Sequence, residues 1–169
     1  GDVLEDVDAE VVLSSDVMPR FREFERASTV TVNAALLPII SRYMERIQTL
    51  RNAPEHTLIM SSDRGAVDAR EAVWKPVITV LSGPAGGMIG ARSFARERGE
   101  SKLVSLDIGG TSTDVSLIED RIPLRDDHRV GEYPIAHPMV DLHTVGSGGG
   151  PILWVDQGGH PRVGPDSAG

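Results

Sequence analysis

Apolar and polar residues alternate most sharply around a short glycine-rich joint. In "VSLDIGGTSTDVSLI", Val104, Leu106 and Ile108 recur at every second position before the Gly-Gly-Thr-Ser, and the alternation resumes after it with Val115 and Leu117. This predicts strands over Leu103–Ile108 and Thr113–Ile118 joined as a hairpin. Farther upstream the period lengthens. Phe21, Phe24 and Ala27 have helical spacing, the β-branched run 28–32 interrupts it, and Ile40, Tyr43, Met44, Ile47 and Leu50 predict an amphipathic helix entered at Pro38. Both stripes are expected to face a core.

Short apolar runs predict strands at 9–13, ending in an "SSDVMP" loop, at 57–60 and at 77–81. "SSDRG" follows the second run as a turn, then a short helix through Ala69. "SGPAGGMIGARSFARERGE" has the punctuation of a helix: Ser82 to cap it, Pro84 in its first turn and Gly99 as a left-handed stop. The remainder reads mostly as β, with an extended stretch near 140–145 and a hairpin over 152–163 turning at "DQGG". There is no internal repeat and no low-complexity tract.

Composition narrows the function classes. The 169 residues, 40% of them hydrophobic, suffice for one domain with its own core, so a single unit over 1–169 is expected. A net charge of -8 argues against an extended nucleic-acid surface, although backbone amides can still bind small anions locally. The absence of cysteine removes disulfide frameworks and thiolate metal sites, and suits a cytoplasmic location. No apolar run reaches the roughly 20 residues of a membrane helix, so no membrane partner is expected. The closing "RVGPDSAG" reads as a loop, and a segment of a longer protein is expected.

The hairpin joint carries the most chemistry. Asp107 alternates away from the apolar strand face, at the mouth of the loop. Gly109 and Gly110 let backbone amides approach a charged oxygen, while Thr111, Ser112 and Thr113 add hydroxyl donors. Such a loop is built to clasp phosphate, and a carboxylate beside phosphate calls for Mg²⁺ or a water it holds. A plain Gly-Gly hairpin is the competing reading, but the full D-x-G-G-T-x-T-D string is far more specific. It matches neither the P-loop nor the dinucleotide fingerprint.

Three other features admit two readings each. The glycines at the start of "SGPAGGMIGA" could offer helix amides to an anion, or allow another backbone to approach closely, and close approach is favoured. Gly146, Gly148, Gly149 and Gly150, in "GSGGGP" (146–151), could floor an adenine or ribose, or form a flexible loop. Asp141 and His143, two apart on an expected strand, could ligate a metal or orient substrate, but are expected as a satisfied polar pair. His56, His128, His137 and His160 show no partner pattern, and no nucleophile triad is evident.

"LDIGGTSTDVSLI" resembles the phosphate-binding hairpin of the actin, sugar-kinase and heat-shock ATPase superfamily. Together with "SGPAGGMIGA" before it, "DLHTVGSGGG…VGPDSAG" after it and "FREFERASTVTVNAALLPIISRYMERI" upstream, it resembles the hydantoinase A/5-oxoprolinase family, including related ketone carboxylase subunits. The resemblance implies a ribonuclease-H-like α/β domain, with a mixed sheet and packing helices, that helps bind Mg-ATP. It implies an ATP-dependent cyclic amidohydrolase in which ATP phosphorylates the ring carbonyl. Asp107 would organise Mg²⁺ or water, Gly109 to Thr113 would hold the β- and γ-phosphates, and Asp114 would fix the loop or assist the metal. A hydantoinase B-type second subunit or domain and a small-molecule substrate are the implied partners. Ketone carboxylation and a non-catalytic nucleotide switch are the alternatives. The family's first phosphate motif is missing from these residues, so the segment alone is expected to be inactive. Pro151 stands where the family usually has Ser, Asp63 and Arg64 where a Gly-rich turn is common, and Arg121 where Gly is frequent.

Overall fold

The computed structural model describes residues 11–50, 56–63 and 65–168. In chain order its elements are α1 (Ser14–Val17), α2 (Glu23–Gln48), β1 (Leu58–Met60), β2 (Ala66–Asp68), α3 (Ala69–Trp74), a 3₁₀ turn (Pro76–Thr79), α4 (Ser82–Arg96), β3 (Lys102–Ile108), β4 (Thr113–Glu119), β5 (Leu124–Arg125), β6 (His128–Val130), β7 (Tyr133–Ile135), β8 (Met139–Val140), β9 (His143–Val145), β10 (Pro151–Val155) and β11 (Pro161–Ser167). They form two compact units, one from the described residues of 1–82 with 125–139, the other from those of 83–124 with 140–169.

The first unit is built on α2. Its 26 residues run uninterrupted through both the β-branched stretch and Pro38, where the sequence predicts a break and a new start. The threonines are accommodated by turning their hydroxyls onto the helix itself: Thr29 Oγ1 donates to Glu25 O at 2.6 Å and Thr31 Oγ1 to Ala27 O at 2.8 Å. Pro38 lies on the exposed side, as does Ala34, whose carbonyl loses its helical partner and faces water. The buried face is Ser28, Thr29, Asn33, Leu37 and Met44, so of the expected stripe only Met44 is fully covered, and Phe21 is 91% exposed.

Val17, Val77, Ile78, Ile135 and Met139 form this unit's core, with Val30 and Val32 packed against it. Here the apolar run 77–81 is not a strand. Pro76 opens a 3₁₀ turn whose Val77 and Ile78 are buried, because a short apolar run satisfies a core in either conformation and proline favours the turn. Asn33 Oδ1 fixes it by accepting from Val77 N–H at 3.1 Å. The expected helix through Ala69 is likewise displaced: 66–68 pair with β1 as a strand, and α3 begins at Ala69 because the Asp68 carboxylate caps Arg70 N–H at 2.8 Å. Leu58 in β1 is exposed, and residues 11–13 are not a strand but lead into α1. Residues 9 and 10 lie outside the described residues, as does Arg64.

The second unit follows the sequence closely. Antiparallel β3 and β4 pair in unbroken register from Lys102↔Glu119 to Ile108↔Thr113, and β9 joins the far edge of β4 to give the order β3-β4-β9. Helix α4 presents Ala85 and Met88 to Ile118, Ile122 and Val140, with Leu103 packed alongside. Gly99, at φ 77°, stops the chain beyond α4 as expected. The sheet face that reads as the apolar one is the open one: Val104, Leu106, Ile108 and Leu117 are each at least 60% exposed. The hairpin β10–β11 turns at Asp156–Gly159, where the sequence places it.

Candidate functional site

Register sets the site. The paired residues on the covered face of β3–β4 run Leu103↔Ile118, Ser105↔Ser116, Asp107↔Asp114, so polarity rises from the core toward the loop. Asp107 and Asp114 are directly opposite each other, a placement that puts Cβ atoms about 5 Å apart and sets like charges against each other. Thr144, opposite Asp114 on β9, donates its hydroxyl to Asp114 Oδ1 at 2.6 Å and so fixes that carboxylate. Ser116 is tied down by donating to Asp141 O at 2.7 Å.

Across from the carboxylates lies α4. A cavity of about 20 Å³ is lined by Pro84, Gly87, Asp107, Asp114, Ser105 and Ser116, among others. That volume holds a water or a small ion, for which about 15 Å³ is enough. A Cβ at Gly87 would come within 3.9 Å of Asp107 Oδ2, and one at Gly90 would meet nothing within 4 Å. The glycines of α4 therefore leave room beside a carboxylate, and the close backbone packing expected of them is not present at Gly87 or Gly90 among the described residues.

The loop 109–112 is held from one side by the second glycine-rich segment. Gly149 N–H donates to Gly109 O at 2.9 Å, Gly150 N–H to Gly110 O at 2.7 Å, and Thr113 Oγ1 to Ser147 O at 2.7 Å. Gly148 and Gly150 sit where a side chain would collide with main chain: a Cβ at Gly148 would press on Gly109 O and lie 2.8 Å from Ser112 N, and one at Gly150 would press on Gly110 O. Gly109 closes the turn by donating to Ser112 O at 2.8 Å. In contrast, the N–H groups of Gly110, Thr111 and Ser112 donate to no backbone carbonyl among the described residues, and Gly110 and Thr111 are exposed. Carbonyls are consumed and amides remain, which is the polarity an anion needs.

The structure thus brings Asp107, Asp114, Gly109–Thr113, Gly148, Gly149 and Gly150 together at one end of a single sheet, while Gly146 makes no close contact. Asp141 precedes β9, with its N–H on Pro123 O, and His143 is an exposed strand residue beside Val115. Among the described residues no group of three or more His, Asp or Glu side chains gathers as a metal site. Sequence reasoning overlooked Thr144, which no local pattern marks. It also overlooked the facing of Asp107 and Asp114, which equal spacing from the center of the turn does mark.

The family model described as Hydantoinase/oxoprolinase matches residues 26–169. The 5-oxoprolinase of Saccharomyces cerevisiae is 39% identical over 163 residues, 94% of this chain and 12% of that protein. The caprolactamase subunit alpha of Pseudomonas jessenii is 35% identical over 166 residues, 96% of this chain and 24% of that protein. A crystal structure of the ATP-dependent caprolactamase from that organism superposes with a TM-score of 0.72 at 32% identity, over 92% of this chain and 23% of that one. Nucleotide-free acetone carboxylase, from a study of ATP-dependent acetone carboxylation, superposes with a TM-score of 0.74 at 28% identity, over 92% and 22%. The fold is that of these actin-like α/β enzymes. The chain spans a quarter or less of the relatives and structures it matches here. Among the described residues no helix is long and apolar enough to cross a membrane.

Proposed function

The chain belongs to the hydantoinase/oxoprolinase family, and on that premise we propose that it forms part of the ATP-binding subunit of an enzyme that hydrolyses a cyclic amide of the hydantoin or 5-oxoproline type. The observation that carries this reading is the juxtaposition of two facing carboxylates, a cavity of about 20 Å³ and three loop amides that meet no backbone carbonyl among the described residues. An amide carbon in a stable ring resists water. Transfer of the ATP γ-phosphoryl to the carbonyl oxygen, with ADP leaving, makes that carbon electrophilic. Water then adds, the ring C–N bond breaks to free the amine, and a second water releases phosphate from the resulting acyl phosphate. The N–H groups of Gly110, Thr111 and Ser112, with the hydroxyls of Thr111 and Ser112, bind the terminal phosphates, and their work is electrostatic positioning.

Asp107 and Asp114 fit Mg²⁺ chemically, because two oxygen ligands of like charge are a hard-cation pair and need a counter-charge between them. Asp107 orients the ion or a water, and Asp114, steadied by Thr144, completes the pair. Gly149 and Gly150 hold the loop through its Gly109 and Gly110 carbonyls, and Gly148 permits the close approach. This assigns the 146–150 segment a supporting role beside any floor it gives the nucleoside.

A second subunit or domain of the hydantoinase B type is the partner this reading requires, in keeping with the name of the caprolactamase relative, and a cytoplasmic setting suits a cysteine-free chain. The match to acetone carboxylase favours one other reading, ATP-driven carboxylation of a ketone. Phosphate release by the full-length protein, mixed with its partner subunit, separates the two. Stimulation by 5-oxoproline, hydantoin or a lactam supports the hydrolase. Stimulation only by a ketone with bicarbonate supports the carboxylase.

A further inference from the structure

The first unit contains a larger cavity, of about 280 Å³, that the nucleotide reading does not use. Pro19, Ala136 and Pro138 give it an accessible apolar lining, and its polar lining is Arg20, Lys75, His137 and Thr29, with no carboxylate among the lining residues. Thr29 is already committed, donating to Glu25 O and accepting from Ala136 N–H at 3.0 Å. The other three are not. Lys75 forms no ion pair among the described residues. His137 Nε2 is sealed from solvent with no hydrogen-bond partner among them. Arg20 reaches only Asp126, at 3.4 Å between two exposed side chains, a contact of little strength.

We propose that this cavity binds a small organic carboxylate with a short apolar tail, its headgroup taken by Lys75 and Arg20 near the His137 ring and its tail by Pro19 and Pro138. Lys75, Arg20 and His137 line one cavity with no carboxylate beside them, and the apolar lining of Pro19, Ala136 and Pro138 disfavours a fully hydrated ion such as phosphate. A half-buried ammonium without a partner is a cost that an arriving carboxylate removes, since a charged hydrogen bond is strongest where water is excluded. The charges around the cavity agree. Burial lowers the Lys75 pKa despite the attraction of Glu71 and Asp63, with Arg20 adding to the lowering. Burial, followed by the charges of Lys75 and Arg20, also lowers that of His137 below its ordinary 6.5, against the opposing pull of Asp63 and Asp126. His137 is thus neutral at pH 7, and protonating it adds a third positive charge to the headgroup end.

Calorimetric titration of the full-length protein with sodium pentanoate tests the assignment, with pentanamide and inorganic phosphate as comparison ligands. Saturable pentanoate binding is expected, tightening as pH falls through the lowered His137 value. Pentanamide and phosphate should bind about tenfold more weakly or worse. Lys75→Met, which removes a desolvated charge and is to be checked for an unchanged circular-dichroism spectrum, should weaken pentanoate about tenfold, and His137→Gln should abolish the pH dependence. Asp107→Asn, in the other unit, should leave the titration unchanged. The proposal is overturned by absence of saturation at ~10 mM pentanoate, by equal binding of the amide, by an unaltered affinity in Lys75→Met, or by loss of binding in Asp107→Asn, which would move the carboxylate to the hairpin.

Discussion

The two units spend their polar groups in opposite ways. In the α2 unit, buried polar side chains stitch one segment to another: Asn33 holds the 3₁₀ turn, Thr29 holds Ala136, and Ser62 holds Ile78 through both its N–H and its hydroxyl. In the β3–β4 unit the polar groups collect at one end of the sheet. There the carbonyls of Gly109 and Gly110 are bonded, while the N–H groups of Gly110, Thr111 and Ser112 meet no backbone carbonyl among the described residues and two carboxylates face each other. One set of groups stabilises the fold and the other is held ready by it. Bonding that faces inward contributes to stability, whereas a row of open donors beside paired like charges costs stability and makes sense only with a ligand to complete it.

Substitutions at the second glycine segment should break this contrast most severely. Gly148→Ala drives a Cβ into the main chain of Gly109 and Ser112, so it should destabilise the second unit by about 1–3 kcal/mol and remove measurable Mg-ATP binding together. A melting curve paired with a nucleotide titration reads both. Asn33→Ala should cost about as much stability, about 1–3 kcal/mol, by leaving Val77 N–H buried and unpaired, and yet leave the intrinsic affinity for nucleotide unchanged. If Asn33→Ala weakened nucleotide binding in protein that remained folded, the division of labour would fail.

Thr113→Val sits between the two roles. Loss of its bond to Ser147 O should cost about 1 kcal/mol and loosen the loop, with a modest fall in affinity measurable by the same titration. The smallest effect is expected at the β10–β11 turn. Hydrogen bonds from His160 N–H, from the Arg162 guanidinium and from Gly158 N–H hold the Asp156 carboxyl below its ordinary value of 3.8. Its contribution is therefore complete above that value and fades as pH falls through the lower folded-state value. Asp156→Asn should lower hairpin stability slightly at neutral pH and flatten the acid limb of its melting profile, so that variant and wild type converge at low pH.

What the chain disclosed before folding follows the same division. The β3–β4 hairpin, its joint and the helix of 82–96 were legible because their contacts are local: a period of two, a fixed turn and a capped helix with a glycine stop. The α2 unit was misread where long-range packing decided. Pro38 and the threonines argue against a helix in isolation, and only the burial of Thr29 and Asn33 against 77–78 and 135–139 overrides them. The run 77–81 has the composition of a strand, and Pro76 with Asn33 makes it a turn. Within the site, the Gly109–Thr113 loop and both aspartates were visible as a string. The partnership of Thr144 with Asp114, and the locking of Gly148–Gly150 onto the hairpin, join residues far apart in the chain, 30 positions in the first case, and left no mark in either segment alone.

The central claim is that Asp107 and Asp114 face each other as a pair completed by a cation and phosphate. Titrating Mg-ATP into the wild-type chain and Asp107→Asn, each in its full-length protein, with a melting curve on the ligand-free forms, tests it directly. The expected result has opposite signs: removing one of two facing like charges should leave the free protein as stable or more stable by a few tenths of a kcal/mol, while Mg-ATP affinity falls about tenfold or more. Unchanged affinity in the variant, or loss of affinity that merely tracks loss of folding, would contradict the account.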